Sequence, residues 1–175
     1  MSAEIMITYQ PQALRFEDWS GRQMTHFKPR GVWYSPVEGS LPAWRAWCRW
    51  ENWSPGRYTK KYRLENLHYT RLDQALTGQG QNKILLLEDE WEVIKFATQF
   101  KAKKTDNIDW QQLASLVAGI EVNPYQHGTK HEPGCSWYGW WDVASGCIWR
   151  KPDGIVVEEI PLDWGGSVGG GWGDS

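Results

Sequence analysis

Four tryptophans stand three residues apart in LPAWRAWCRWENW, residues 41–53, and they belong to a set of 14 in a chain of 175 residues. A tryptophan ring is a large apolar surface with one polar N–H that needs a partner when buried. A chain with this many must build a strongly aromatic core, or use some rings at a surface. The row at 41–53 weighs the two. Ser40 stands as an N-cap, Pro42 suits a first turn and Pro55-Gly56 ends the segment, so these residues read as a helix. A helix turns once per 3.6 residues, so a spacing of three drifts by about 60° per step. Trp44, Trp47, Trp50 and Trp53 therefore wrap around half the helix, and one core-facing side cannot bury them all. At least one belongs at a cleft, an interface or the surface, where its ring can stack on a flat ligand. Arg45 and Arg49 share another face and read as solvated.

The rest of the composition is ordinary for a globular chain, with 41% apolar and 23% charged residues. The length suits one domain, expected over residues 1–164, with a flexible glycine-rich tail at 165–175. No apolar run approaches the roughly 18 residues of a membrane helix. The start, MSAEIMITYQ, lacks the basic region and apolar core of a secretory signal. Cys48, Cys135 and Cys147 are an odd, sparse set that argues against a disulfide framework and fits a reducing compartment. The expectation is a cytoplasmic protein with no membrane contact. Net charge is −2, divided into +4 over residues 1–75 and −6 over 76–175. The basic excess is too small to mark a nucleic-acid binder.

Strand signals fall at EIMITY (4–9), GVWYS (31–35), KKYRLENLHYT (60–70), KILLLE (83–88), IEV (120–122), WYGWWDVASGCIWR (137–150) and GIVVEEI (154–160). KILLLE is a continuous apolar run and reads as an inner strand. The segment 88–104 is the clearest helix: acidic at its start, basic at its end, with Val93, Phe96, Ala97 and Phe100 at core-facing spacing. A further helix is expected over 108–119, with Asp106 or Asp109 at its start. Strands mixed irregularly with about three helices predict an α+β fold rather than a doubly wound sheet.

The chain has no glycine-rich phosphate loop and no nucleophile elbow. His127, His131 and Cys135 follow at four-residue steps in a loop broken by Gly128 and Pro133, so no metal site is expected there. KPRGVWYSP, residues 28–36, is more informative. A Pro-Arg-Gly turn feeds a short aromatic strand, and a helix loaded with tryptophan follows.

This order of blocks resembles the ADP-ribosyltransferase superfamily, in its small bacterial and phage-type members. There a glycine-led aromatic strand walls the nicotinamide pocket and the next helix supplies a stacking aromatic. Gly31, Val32, Trp33, Tyr34 and Ser35 match the strand, and Trp44 or Trp47 the helix. YRLENL and ILLLE resemble the family's central strands, the helix before AGIEV is similar to the one leading into its next strand, and WYGWWDVASGCIWRKPDGI resembles its last block. The likeness spans roughly residues 5 to 160 through short, degenerate motifs. It implies a mixed or antiparallel split sheet and NAD as substrate. ADP-ribose would pass to a macromolecular acceptor, protein or nucleic acid, with release of nicotinamide. Asp142 stands nearest the family's catalytic glutamate, one methylene shorter; Ser145 takes that place under a slightly different alignment, and Glu158 and Glu159 lie farther on. The family's first strand carries a His or Arg that grips the dinucleotide, where this chain offers Thr8, Tyr9 and Gln10.

A carboxylate near the ribose would stabilise the positive charge that develops as nicotinamide leaves. A flat cationic ring stacks well on tryptophan and tyrosine. The alternative is a non-enzymatic, tryptophan-rich binding or inhibitor protein of phage type, acting on a host protein through its rings.

Overall fold

A computed structural model describes residues 5–39 and 41–163, so the Ser40 cap and the 165–175 tail lie outside the described residues. In chain order the elements are β1 (Met6–Gln10), β2 (Thr25–His26), β3 (Val32–Glu38), β4 (Leu41–Pro42), α1 (Ala43–Trp50), β5 (Lys60–Glu65), β6 (Tyr69–Thr70), α2 (Leu72–Leu76), β7 (Ile84–Leu87), α3 (Glu90–Phe100), β8 (Ile108–Asp109), α4 (Trp110–Ala114), β9 (Gly119–Val122), β10 (Ser145–Ile148) and β11 (Val156–Ile160). Short 3-10 turns cover Phe16–Trp19, Thr129–His131 and Ser136–Trp140. The fold is α+β. Its main sheet runs β11-β5-β1-β3-β10-β9-β7-β6, with β4 folded back on β3, and β2 pairs with β8 in a separate small sheet.

The main sheet is mixed. β6, β7 and β9 are parallel, and the other neighbours are antiparallel. Parallel strands are covered on both faces, which is why β7 is a continuous apolar run with Ile84, Leu85 and Leu87 fully buried. Leu85 and Leu87 join the core under α3 and α4, while Ile84 joins a second core on the opposite face with Met6, Val32, Tyr34, Leu64 and Ile148.

The chemistry of α3 is local. The Asp89 side chain accepts a hydrogen bond from the Glu92 N–H at 2.8 Å, satisfying one of the free donors of the first turn. Val93, Phe96, Ala97 and Phe100 then face the core at helical spacing.

Other elements are broken more finely than the sequence suggests. The strand expected over 60–70 stops at Glu65 because Asn66 adopts a left-handed φ of 67° and its amide reaches the Gly154 carbonyl at 2.8 Å. The helix expected over 108–119 spans only Trp110–Ala114, capped by Asp109, because the Ala118 N–H bonds to the Lys83 carbonyl at 2.8 Å as the chain joins the sheet. The first half of 137–150 is a 3-10 turn: Trp137, Tyr138 and Trp141 all face the core, which the alternation of a strand forbids. The described residues therefore hold four α-helices, two of them only five residues long.

The tryptophan row divides as its geometry requires. Trp50 is 86% exposed, whereas Trp44 and Trp47 are half-buried. The buried line of α1 is Ala43, Arg45 and Cys48. Arg45 is not solvated. Its Nε bonds to Asp163 Oδ2 at 3.0 Å, a pairing made across the fold.

Candidate functional site

β3 changes partners along its length. Val32, Trp33 and Tyr34 pair with β10, and Ser35 and Pro36 pair with β1. Beyond Ile7, β1 stays on β5 and leaves β3, so the sheet splits between Thr8–Gln10 and Val32–Tyr34. The Thr8 hydroxyl spans the split by donating to the Trp33 carbonyl. At this split lies a cavity of ≈ 380 Å³. That volume falls in the range of roughly 300–1,000 Å³ typical of small-molecule sites.

Gly31 opens the wall. Its φ of 152° and its approach to the Ile148 carbonyl leave no room for a Cβ, so only glycine lets the turn lie against β10. Period-2 alternation then sends Trp33 and Ser35 to the cavity face, with the Val32 and Tyr34 side chains packed in the opposite core, although Tyr34 also borders the cavity. Trp33 meets Trp141 edge-on at 5.0 Å. From β1 come Ile7 and Tyr9, and from α1 comes Trp44, whose ring lies 5.1 Å from both Tyr9 and Tyr58. Trp47 does not line the cavity; it packs against Trp53 at 6.4 Å.

Several site residues are fixed by bonds from outside the cavity. The Ser35 hydroxyl accepts from the Trp44 N–H at 3.2 Å and so seats the start of α1. The Tyr9 hydroxyl donates to Asp163 at 2.9 Å, and Lys61 pairs with the same carboxylate at 3.2 Å. Burial, together with the Asp163 charge, holds the Tyr9 phenol well above its ordinary value. Tyr34 crosses over Gly146 and donates to Glu121 Oε1 at 2.6 Å; Tyr69 and Asn123 donate to the same carboxylate.

Asp142 and Ser145 both line the cavity. Asp142 is exposed, while the Ser145 hydroxyl is directed to the Val143 carbonyl at 3.0 Å. Glu158 and Glu159 lie elsewhere, on β11, where they pair with Arg63 and Lys60. The Trp141 indole N–H is buried without a hydrogen-bond partner among the described residues. A donor of this kind costs about 1–3 kcal/mol while unsatisfied.

Among the cavity residues that escaped the sequence reading are Lys28, Arg57, Tyr58 and Trp141. Arg57 and Tyr58 sit in the α1–β5 connection, where no periodicity marks them. Lys28 opens the informative KPRGVWYSP stretch, and its Nζ stands 5.1 Å from the centre of the Trp33 ring. Burial pushes its ammonium below the ordinary 10.5, with the Asp142 and Cys147 charges pulling the other way. Cys135 is fully buried in the core, and among the described residues no group of three His, Cys, Asp or Glu is placed to hold a metal ion. No helix among the described residues is long and apolar enough to cross a membrane.

Comparison of the chain with protein-family models, with curated proteins and with solved structures finds no match in any of the three.

Proposed function

We propose that the cavity holds the nicotinamide–ribose end of NAD, and that the protein is an ADP-ribosyltransferase-like enzyme passing ADP-ribose to a macromolecular acceptor. One observation carries the reading. Tyr9, Gly31, Trp33 and Ser35 of the β3 strand and its turn, Trp44, and the pair Asp142 and Ser145 come from separate stretches of sequence, yet all line one cavity at a split in the sheet. The nicotinamide ring would stack on the aromatic wall formed by Trp33, Trp44 and Tyr58. As the glycosidic C–N bond breaks, its electron pair leaves with nicotinamide and positive charge develops on the ribose. The Asp142 carboxylate stabilises that charge and takes the proton that the acceptor loses on attack. Free, buried Cys48, Cys135 and Cys147 suit a reducing cytoplasm, where we place the activity.

The test combines NAD titration, followed by tryptophan fluorescence, with an assay of released nicotinamide, with and without cell extract as acceptor source. Release that disappears in Asp142→Asn but persists in Glu158→Gln is the expected result. No binding and no release at millimolar NAD would overturn the reading.

A second reading, a non-enzymatic binding or inhibitor protein that engages a host protein, is favoured by Trp50, Trp91 and Trp140, which are 86%, 67% and 58% exposed. A stable complex with one protein, lost in Trp50→Ala or Trp91→Ala and formed without nicotinamide release, would select it.

A further inference from the structure

We propose that Lys28 is a nucleophile whose amine forms an imine with a flat aromatic or conjugated aldehyde held in the cavity at the sheet split. This chemistry does not depend on NAD being a substrate.

Three conditions make a lysine an imine former: an unprotonated amine, a wall that holds the carbonyl compound against it, and a group that moves protons. Lys28 lines the cavity together with Trp33, Trp44, Tyr58 and Trp141, so a planar aldehyde has aromatic faces to rest on. Its amine stands over Trp33, on the cavity wall, and the residue is half-buried. Burial lowers its hold on a proton, which enlarges the neutral, nucleophilic fraction. Asp142 faces the same cavity and supplies the carboxylate.

The atoms balance without an oxidant or reductant. The Nζ lone pair attacks the carbonyl carbon, the C=O π pair moves to oxygen, and a proton passes from nitrogen to that oxygen to give a carbinolamine. Departure of the hydroxyl as water leaves a C=N bond, so amine and aldehyde yield imine and one water. The Asp142 carboxylate is the group that ferries the proton from nitrogen to oxygen. A lysine placed only to stack its charge on Trp33 would be protonated and unreactive, so reactivity separates the two roles.

The test uses the full chain and salicylaldehyde, a flat aldehyde without a phosphate, followed by borohydride reduction and peptide mapping. The expected result is one dominant adduct on Lys28, forming at least ~10-fold faster than on any surface lysine, as an amine held against an aldehyde stacked on the cavity wall requires. Lys28→Arg keeps charge and stacking but has no such amine, and it should lose the adduct; Trp33→Leu should slow labelling. Adducts spread over the lysines at similar rates would overturn the proposal. The map of the unaltered chain decides this even where a variant fails to fold.

Discussion

Replacing Gly146 with alanine puts one methyl group where Tyr34 crosses the sheet. The register sets Gly146 between Tyr34 on β3 and Glu121 on β9, and the tyrosine lies over the glycine to reach the carboxylate at 2.6 Å. A Cβ at 146 would stand 2.8 Å from the Tyr34 Cε1, and closer still to Cζ and the hydroxyl. These are ring atoms held between strands, so the whole side chain must move. Overpacking of a closed core costs about 1–3 kcal/mol. Loss of a hydrogen bond to a buried carboxylate costs about 1.5–3 kcal/mol. Tyr69 and Asn123 still donate to Glu121, which keeps the second contribution near its lower end. The expected loss is about 3–4 kcal/mol, a large share of the roughly 5–15 kcal/mol of a typical domain. Urea unfolding would report it as a lower midpoint at unchanged slope. In a Tyr34→Leu background the ring is gone, and the same glycine substitution should cost about 1 kcal/mol or less, so the cycle yields a coupling of about 2 kcal/mol or more. A Gly146→Ala protein within about 0.5 kcal/mol of the original, the range of an inconsequential surface change, would refute the crossing. So would an equal cost in both backgrounds.

Other parts of the molecule yield further expectations. Trp44→Ala should cost about 1–3 kcal/mol, less than a fully buried ring, while the exposed Trp50→Ala should stay within about 0.5 kcal/mol; chemical unfolding compares them directly. Asp163→Ala removes the carboxylate shared by Tyr9, Arg45 and Lys61, and should lower stability by about 2–4 kcal/mol, since Arg45 is buried and Asp163 only partly so. Burial pushes the Cys48 thiol from 9.0 up to about 12 and Cys135 up to about 11. Below pH about 9 both states hold these protons; above it the unfolded chain loses them first, so stability falls as pH rises towards about 11–12. Thermal unfolding should show Tm dropping through that window, with a shallower drop in Cys48→Ala; equal slopes would count against a buried Cys48.

Where forces are local, sequence alone was sufficient. The run Val93, Phe96, Ala97 and Phe100 specifies the core face of α3, although the helix ends at Phe100, before the basic stretch 101–104 that the sequence suggests as its close. Alternation in GVWYS likewise specified which side chains share a face. The spacing of the tryptophan row required that its rings separate, because a helix turns by 100° per residue wherever it is placed. Which ring goes where was not local. Trp44 reaches the cavity and Trp50 reaches solvent because Arg45, about 100° from Trp44 and about 140° from Trp50 around the helix, is drawn inward by Asp163, 118 residues away. The cavity has the same origin. Tyr9, Trp33, Trp44 and Asp142 were each legible as candidates, but Lys28, Arg57 and Tyr58 carry no pattern of their own. They became neighbours only when β3 exchanged β10 for β1 and opened the sheet. Sequence determined the faces of the elements, through propensity and period. Tertiary structure decided the site, because strand pairing and burial act between residues that the chain keeps far apart.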